Sequence, residues 1–325
     1  MGSELVGRTE AAAMTIRALD AELPSFASAA RSERTRAAYR FQLEAFSAWL
    51  SAHGLGTAWA EPSTVALYIR HRATVGGARG PWKVSSLAQA LAAISEATKA
   101  AGLPSPRESS IVREEWKGLR RTVGTAPDRA APLLAADLAR VVDALPATLG
   151  GLRDRALLVL GFACALRRSE LAALDVADLR FTPDGLVITV RRSKVDQEGE
   201  GATIGAPYGS NPSTCPVRSV RAWLEAAGVA DGPVFRAVNR AGRIGGALDG
   251  TDVARIVRRS VARIGMDPAA FSGHSLRAGL ATSASAAGRD DRAIMRQGRW
   301  RSRTMVDRYV REGSLFRDNA VAGLL

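Results

Sequence analysis

The 325-residue chain is poor in lysine: of its 45 basic residues only Lys83, Lys99, Lys117 and Lys194 are not arginine. It also has only two cysteines, three histidines and four tyrosines. Cys164 and Cys215 lack metal-ligand spacing, and Cys164 lies in the apolar run ALLVLGFACAL, where a small buried thiol is the simpler reading. Neither a zinc site nor a disulfide is expected. No stretch of eighteen or more uncharged apolar residues occurs, and the N-terminus lacks the basic, apolar and small-residue series of a signal peptide. The expectation is a soluble, cytoplasmic protein with no membrane partner. Internal repeats and low-complexity tracts are missing too.

What the chain has in excess is positive charge, +13 at neutral pH, spread along its length. Such an excess favours a polyanionic partner, nucleic acid first, although a solvated basic surface would have the same composition. At this length, and with 46% hydrophobic residues, two ordinary cores can be buried, and two domains are expected.

Residues 1–30 are Ala-rich and weakly periodic, and read as an N-terminal extension. Residues 31–122 carry four amphipathic helical patterns. The first has Tyr39, Leu43, Phe46 and Leu50 on one stripe and ends at Gly54; the second has Val65, Tyr68 and Ile69. The third has Val84, Leu87, Leu91 and Ile94 and stops at Gly102; the fourth has Val112, Trp116 and Leu119. Together they make a compact all-α domain. Its arginines, Arg70 and Arg72 among them, read as exposed. A basic face built from Arg34, Arg36, Arg40, Arg79, Lys83, Arg120 and Arg121 could lie against phosphates, though a helical interaction domain would look similar.

Residues 123–132, VGTAPDRAAP, read as a linker. Residues 133–325 form the second expected domain. It opens with a helix through Leu138, Val141, Val142 and Leu145, followed by the mostly buried GLRDRALLVLGFACAL, which leads into LRRSEL. The one clear β signal is Leu186 to Val190, which pairs through a polar turn with Ala202 to Gly205 in a two- or three-stranded hairpin holding Lys194. Helices follow at 216–227 and 251–264, the latter with Thr251 as N-cap. After the segment 272–310, the apolar tail 314–325 reads as a docking helix.

The chemistry concentrates in the segment 272–310. His274 and Arg277, three apart at the start of a helical run, project from one face of its first turn. His-x-x-Arg alone is a weak signal in so Arg-rich a chain. Context strengthens it, because His274 is the only histidine of the second domain, and Trp300 and Tyr309 follow in the same segment. Arg167 ends a buried helix, where a guanidinium needs an anionic partner.

The set Ala165-Leu166-Arg167-Arg168-Ser169-Glu170-Leu171, a hairpin lysine, His274-Ser275-Leu276-Arg277, Gly298-Arg299-Trp300 and Tyr309 resembles the tyrosine recombinases, or phage integrases. The likeness is greatest to members with Trp, where many have His, at the position matched by Trp300. The resemblance implies a mainly α protein. An N-terminal four-helix core-binding (SAM-like) domain would precede a mixed α/β, mostly helical, catalytic domain with a small β-hairpin sheet. It implies site-specific recombination through a 3′-phosphotyrosine and a Holliday junction, without ATP, metal or other cofactor.

Under that resemblance Tyr309 is the nucleophile, and Arg167 and Arg277 clamp the phosphate oxygens. His274 is a proton acceptor or hydrogen-bond donor, and Trp300 donates its N–H or closes the site. Lys194, the one lysine of this domain, has the proton-donating chemistry a leaving 5′-oxygen needs. Glu170 either supports Arg167 or begins the next helix, and Arg168 joins the DNA-contacting set. Two positions depart from the family pattern: Arg168 replaces a frequent apolar residue, and Arg299 stands where many members have Gly. The implied partners are double-stranded DNA with paired inverted-repeat half-sites, other copies of this chain as a tetramer in the synaptic complex, and accessory DNA-bending proteins. The implied location is the nucleoid. A type IB topoisomerase and a non-catalytic DNA-binding regulator are the competing readings.

Overall fold

The computed structural model describes residues 33–78, 80–124, 130–191, 201–315 and 321. The chain divides into two compact units, Met1–Asp128 and Arg129–Leu325. The protein is mostly helical with small antiparallel sheets.

Among the described residues of the first unit the apolar spacings close into four helices: α1 (Glu33–Ala52), α2 (Pro62–Thr74), α3 (Val84–Ala100) and α4 (Ser110–Val123). Their stripes meet in one core of Phe46, Trp49, Leu50, Val65, Tyr68, Ile69, Leu87, Leu91, Ile94, Val112 and Leu119. Each large side chain buried there contributes about 1.5–3 kcal/mol. Pro62 starts α2 with its fixed φ, and Ser109 caps α4 by accepting from the Ile111 N–H. Arg72 is not the exposed residue its sequence suggests. Its guanidinium donates to the Gly76 and Ala45 carbonyls and packs against the Tyr68 and Trp82 rings. Arg70 stays exposed and pairs with Glu115 across α2 and α4.

The second unit is built on the buried helix α6 (Leu149–Ala163), preceded by α5 (Ala135–Asp143) and followed by the short α7 (Arg168–Ala172). Then come β1 (Leu179–Thr182), β2 (Gly185–Val190), β3 (Ala202–Pro207) and α8 (Pro216–Ala227). The strands form one antiparallel sheet in the order β1-β2-β3, and Val190 pairs with Ala202 at the end that leads into residues 192–200. Lys194 lies there, outside the described residues. A second hairpin, β4 (Arg236–Val238) with β5 (Ile244–Ala247), gave no signal in the sequence. Its strands are three and four residues long, and every residue of β5 is exposed, so no alternation marks them.

α9 (Gly250–Ala262) is capped by Asp249 rather than by Thr251. The Asp249 carboxylate accepts from the Thr251 and Asp252 N–H groups, and Asp252 returns the bond to the Asp249 N–H. The remaining helices among the described residues are α10 (Ser275–Ala286), α11 (Asp291–Gly298) and α12 (Arg303–Gly313). α10 lies against α6 and α12. A side chain at Gly279 would collide with the Leu133 carbonyl, so glycine lets the incoming chain run along α10, where Leu133 N–H donates to the Ser275 carbonyl. Of the tail, Ser314 and Leu315 continue from α12, Val321 is also described, and the expected docking helix otherwise falls outside the described residues.

Candidate active site

Three turns bring the chemistry together. The first joins α6 to α7, where Ala165 adopts φ 45°. Left-handed backbone costs a residue with a Cβ about 1–2 kcal/mol, and here it aims the Ala165 carbonyl at the Arg277 guanidinium, whose Nη1 donates to it at 2.5 Å. Arg167 follows as the residue capping α7. Its backbone N–H and its Nη1 both reach Glu170, at 2.8 and 2.5 Å. Glu170 thus begins α7 and supports Arg167 at the same time, which joins the two readings its position allowed.

The second turn begins α10. His274 holds the N-cap position, its side chain making no capping bond, and Arg277 lies one turn in, 2% exposed. The third ends α11, where Trp300 N–H donates to the Met295 carbonyl and Arg299 N–H to the Arg296 carbonyl, the two bonds of a Schellman motif. Arg299 occupies the left-handed position, φ 54°, usually taken by glycine. Trp300 then folds back over Gly298, where a Cβ would overlap its ring.

From these turns the side chains converge. Tyr309, on α12, is buried in a small apolar cluster with Ala165, Ala278, Ala281, Ile294, Trp300 and Val306. Its hydroxyl lies 3.1 Å from His274 Nε2. The Trp300 ring is 6.1 Å from the Tyr309 ring and 4.0 Å from the Arg277 guanidinium carbon, a cation–π contact. Arg277 Nη2 is buried with no hydrogen-bond partner among the described residues. Burial and repulsion by Arg167 and Arg299 bring the Arg277 pKa down to about 9, so at pH 7 the group is still charged. His274 keeps an exposed edge, yet loss of hydration, then repulsion from Arg277, Arg308, Arg167 and Arg168, holds its pKa below the usual imidazole value. Burial alone would raise the Glu170 pKa, but Arg299 and the bonds from Arg167 outweigh it and keep the carboxyl ionised.

The structure therefore gathers Arg167, Glu170, His274, Arg277, Trp300 and Tyr309. Arg168 sits at the edge, exposed, with its stem against Gly250 and Gly273. In the first unit Arg36, Arg40, Lys83, Arg120 and Arg121 are exposed. Arg79 and the Arg34 side chain lie outside the described residues, as Lys194 does. Sequence reasoning missed three contributors. Arg299 donates to Glu170 at 2.8 Å, and Arg308 lies 4.6 Å over the Tyr309 ring. Gln297 ties the end of α11 to the Ala163 and Gly205 carbonyls, which fastens the hairpin sheet beside the site. A charged residue between Gly298 and Trp300, directly after an amphipathic helix, was the available signal for Arg299. Cys164 is buried and its thiol pushed up to about 12, which leaves it inert. Among the described residues no cluster of His, Cys, Asp or Glu could hold a metal ion.

A tyrosine against a histidine and two arginines, mounted on a largely helical domain, is the constellation of enzymes that pass a phosphodiester through a phosphotyrosine. Residues 133–314 match the phage integrase family and residues 10–101 match the phage integrase N-terminal SAM-like domain; the chain belongs to the phage integrase family. It is 38% identical over 296 residues to an integrase/recombinase xerD homolog of Selenomonas ruminantium, with 90% of this chain and 85% of that protein covered. The recombinase Cre of Escherichia phage P1 is 26% identical, with 82% of this chain and 80% of Cre covered. A lambda integrase tetramer bound to a Holliday junction has the same fold, with a TM-score of 0.58 at 16% identity, covering 89% of this chain and 75% of that one.

Proposed function

We propose that this protein is a site-specific DNA recombinase that cuts and rejoins DNA through a 3′-phosphotyrosine. The observation that carries the reading is the 3.1 Å contact between Tyr309 Oη and His274 Nε2 beside the Arg277 guanidinium. The Tyr309 oxygen attacks the phosphorus, a P–O(Tyr) bond forms, and the P–O5′ bond breaks. His274, neutral at pH 7 because its pKa is depressed, takes the phenolic proton on Nε2. Arg277, through Nη2, and Arg167 hold the non-bridging oxygens as negative charge builds on them. Trp300 covers Arg277 and keeps water from its other face. Lys194 gives its proton to the leaving 5′-oxygen. The bond energy is kept in the adduct, and attack by a 5′-hydroxyl from the partner duplex reverses the steps and yields the Holliday junction.

Double-stranded DNA with paired half-sites is the substrate. Arg168 contacts phosphates near the scissile bond, and Arg34, Arg36, Arg40, Arg79, Lys83, Arg120 and Arg121 contact the backbone from the helical unit. Four copies, linked through the tail 314–325, make the synaptic complex; a tetrameric state is supported by the lambda integrase tetramer bound to a Holliday junction. The test uses a nicked suicide duplex carrying a target site selected from a DNA pool. The wild type should form a denaturation-resistant covalent adduct, and Tyr309→Phe should bind the duplex and form none. An adduct in the Tyr309→Phe protein would transfer the role to another residue. Relaxation of supercoils without exchange between two sites would favour the topoisomerase alternative.

A further inference from the structure

Glu170 is the only carboxylate among the residues gathered at the site, and it serves two arginines. One oxygen takes Arg167 Nη1, and the other takes both the Arg167 backbone N–H and Arg299 Nη2. Arg299 reaches it from the turn after α11, so a single ion pair joins that turn to the start of α7. Two features show that this contact is specific to the site and not incidental to the surface. Arg299 holds a left-handed backbone conformation that favours glycine. Its side chain is also largely withdrawn from water, with Nε and Nη1 buried and unpartnered among the described residues, where its one hydrogen-bonded contact is the one to Glu170.

We infer that Arg299 is a positioning residue for strand cleavage: by holding the second oxygen of Glu170 it fixes the carboxylate that orients the Arg167 guanidinium toward the phosphate. Among the described residues the Arg299 side chain hydrogen-bonds to Glu170 and reaches Arg167 through it, while its charge also repels Arg277. It also connects the α11 turn, which carries Trp300, to the α7 cap, which carries Arg167, so the two walls of the phosphate site move together. The inference rests on the recombinase reading, since it assigns Arg167 to the phosphate.

The role separates from simple support of the fold by the state of Glu170. With Arg299 gone, Glu170 keeps only Arg167, and its carboxyl should protonate at a higher pH than in the wild type. Glycine suits the turn, so Arg299→Gly leaves the backbone free to keep its course. The experiment follows the carboxyl carbon of Glu170 by NMR in the full chain labelled at glutamate, assigned by loss of the signal in Glu170→Gln, and measures adduct formation against pH. Arg299→Gly should raise the Glu170 midpoint, slow cleavage about tenfold or more, and make the rate fall as pH falls through that new midpoint. Adding Arg299→Gly to Glu170→Gln should change the rate little, because both act on one link. An unchanged Glu170 midpoint overturns the inference whatever the enzyme does, as does a full additional slowing in the Glu170→Gln background. If the wild type forms no adduct on its own target while the midpoint still shifts, the recombinase reading is what fails.

Discussion

Gly298→Ala is a change of one methyl group whose effect can be worked out from the fold. Gly298 is the last residue of α11 and does not need positive φ, so alanine suits its backbone. The collision is with Trp300: a Cβ would fall on ring atoms Cζ3, Cε3 and Cη2, and even the last would be 2.5 Å away, where ordinary contacts are 3.4–4 Å. The indole must therefore shift by about 1 Å or more, and overpacking of this kind costs about 1–3 kcal/mol. In a unit of this size that lowers Tm by roughly 2–12 °C. The same shift breaks the 4.0 Å stacking of Trp300 on Arg277, and a displacement of about 1 Å in a positioning group can cost roughly a hundredfold in rate.

Thermal melting and single-turnover cleavage of a suicide duplex measure the two effects. Trp300→Ala supplies the control, since it removes the ring that the methyl strikes. In that background Gly298→Ala should be neutral, or stabilising by up to about 1 kcal/mol as alanine replaces glycine in a helix. A Gly298→Ala protein that melts and cleaves like the wild type, or that is destabilised equally with and without the indole, would refute the reasoning.

Two further outcomes are expected from the site's charges. The depressed pKa of His274 places the acid limb of cleavage below about pH 6.5, the ordinary imidazole value. Folding also disfavours the charged ring, so this group's contribution to stability is complete above that value and is lost as pH falls below it. His274→Gln should abolish both effects, and an acid limb centred above pH 6.5 that survives in His274→Gln would rule out this role. Lys194→Ala should cleave normal DNA poorly and recover when the 5′-bridging oxygen is replaced by sulfur, because a thiolate leaves without a proton. Rescue of Arg192→Ala instead would move the general acid along the hairpin.

The sequence alone determined most of the helical elements, though not α11 and α12, and the kinds of residue gathered at the candidate site. Helices α1 to α4 were legible because their apolar residues recur at three and four, and burial of one stripe is what such spacing is for. His274, Trp300 and Tyr309 were legible because scarce, reactive types fall together in one short segment, and Arg277 because it stands one helical turn from His274. Tertiary structure decided what each residue touches. That Arg72 would turn inward depended on the placing of the Ala45 and Gly76 carbonyls, and that Asp249 would cap α9 depended on which of two neighbouring side chains reached the free N–H groups. β4 and β5 had no pattern to read, since no face of β5 is buried. The role of Arg299 is the clearest case. Its partner Glu170 lies 129 residues away along the chain, and only the left-handed turn after α11 brings the two within 2.8 Å. Spacing along a sequence records local periodicity, whereas a contact of that separation is set by the packing of α10, α11 and α12 around Ala165 and Trp300.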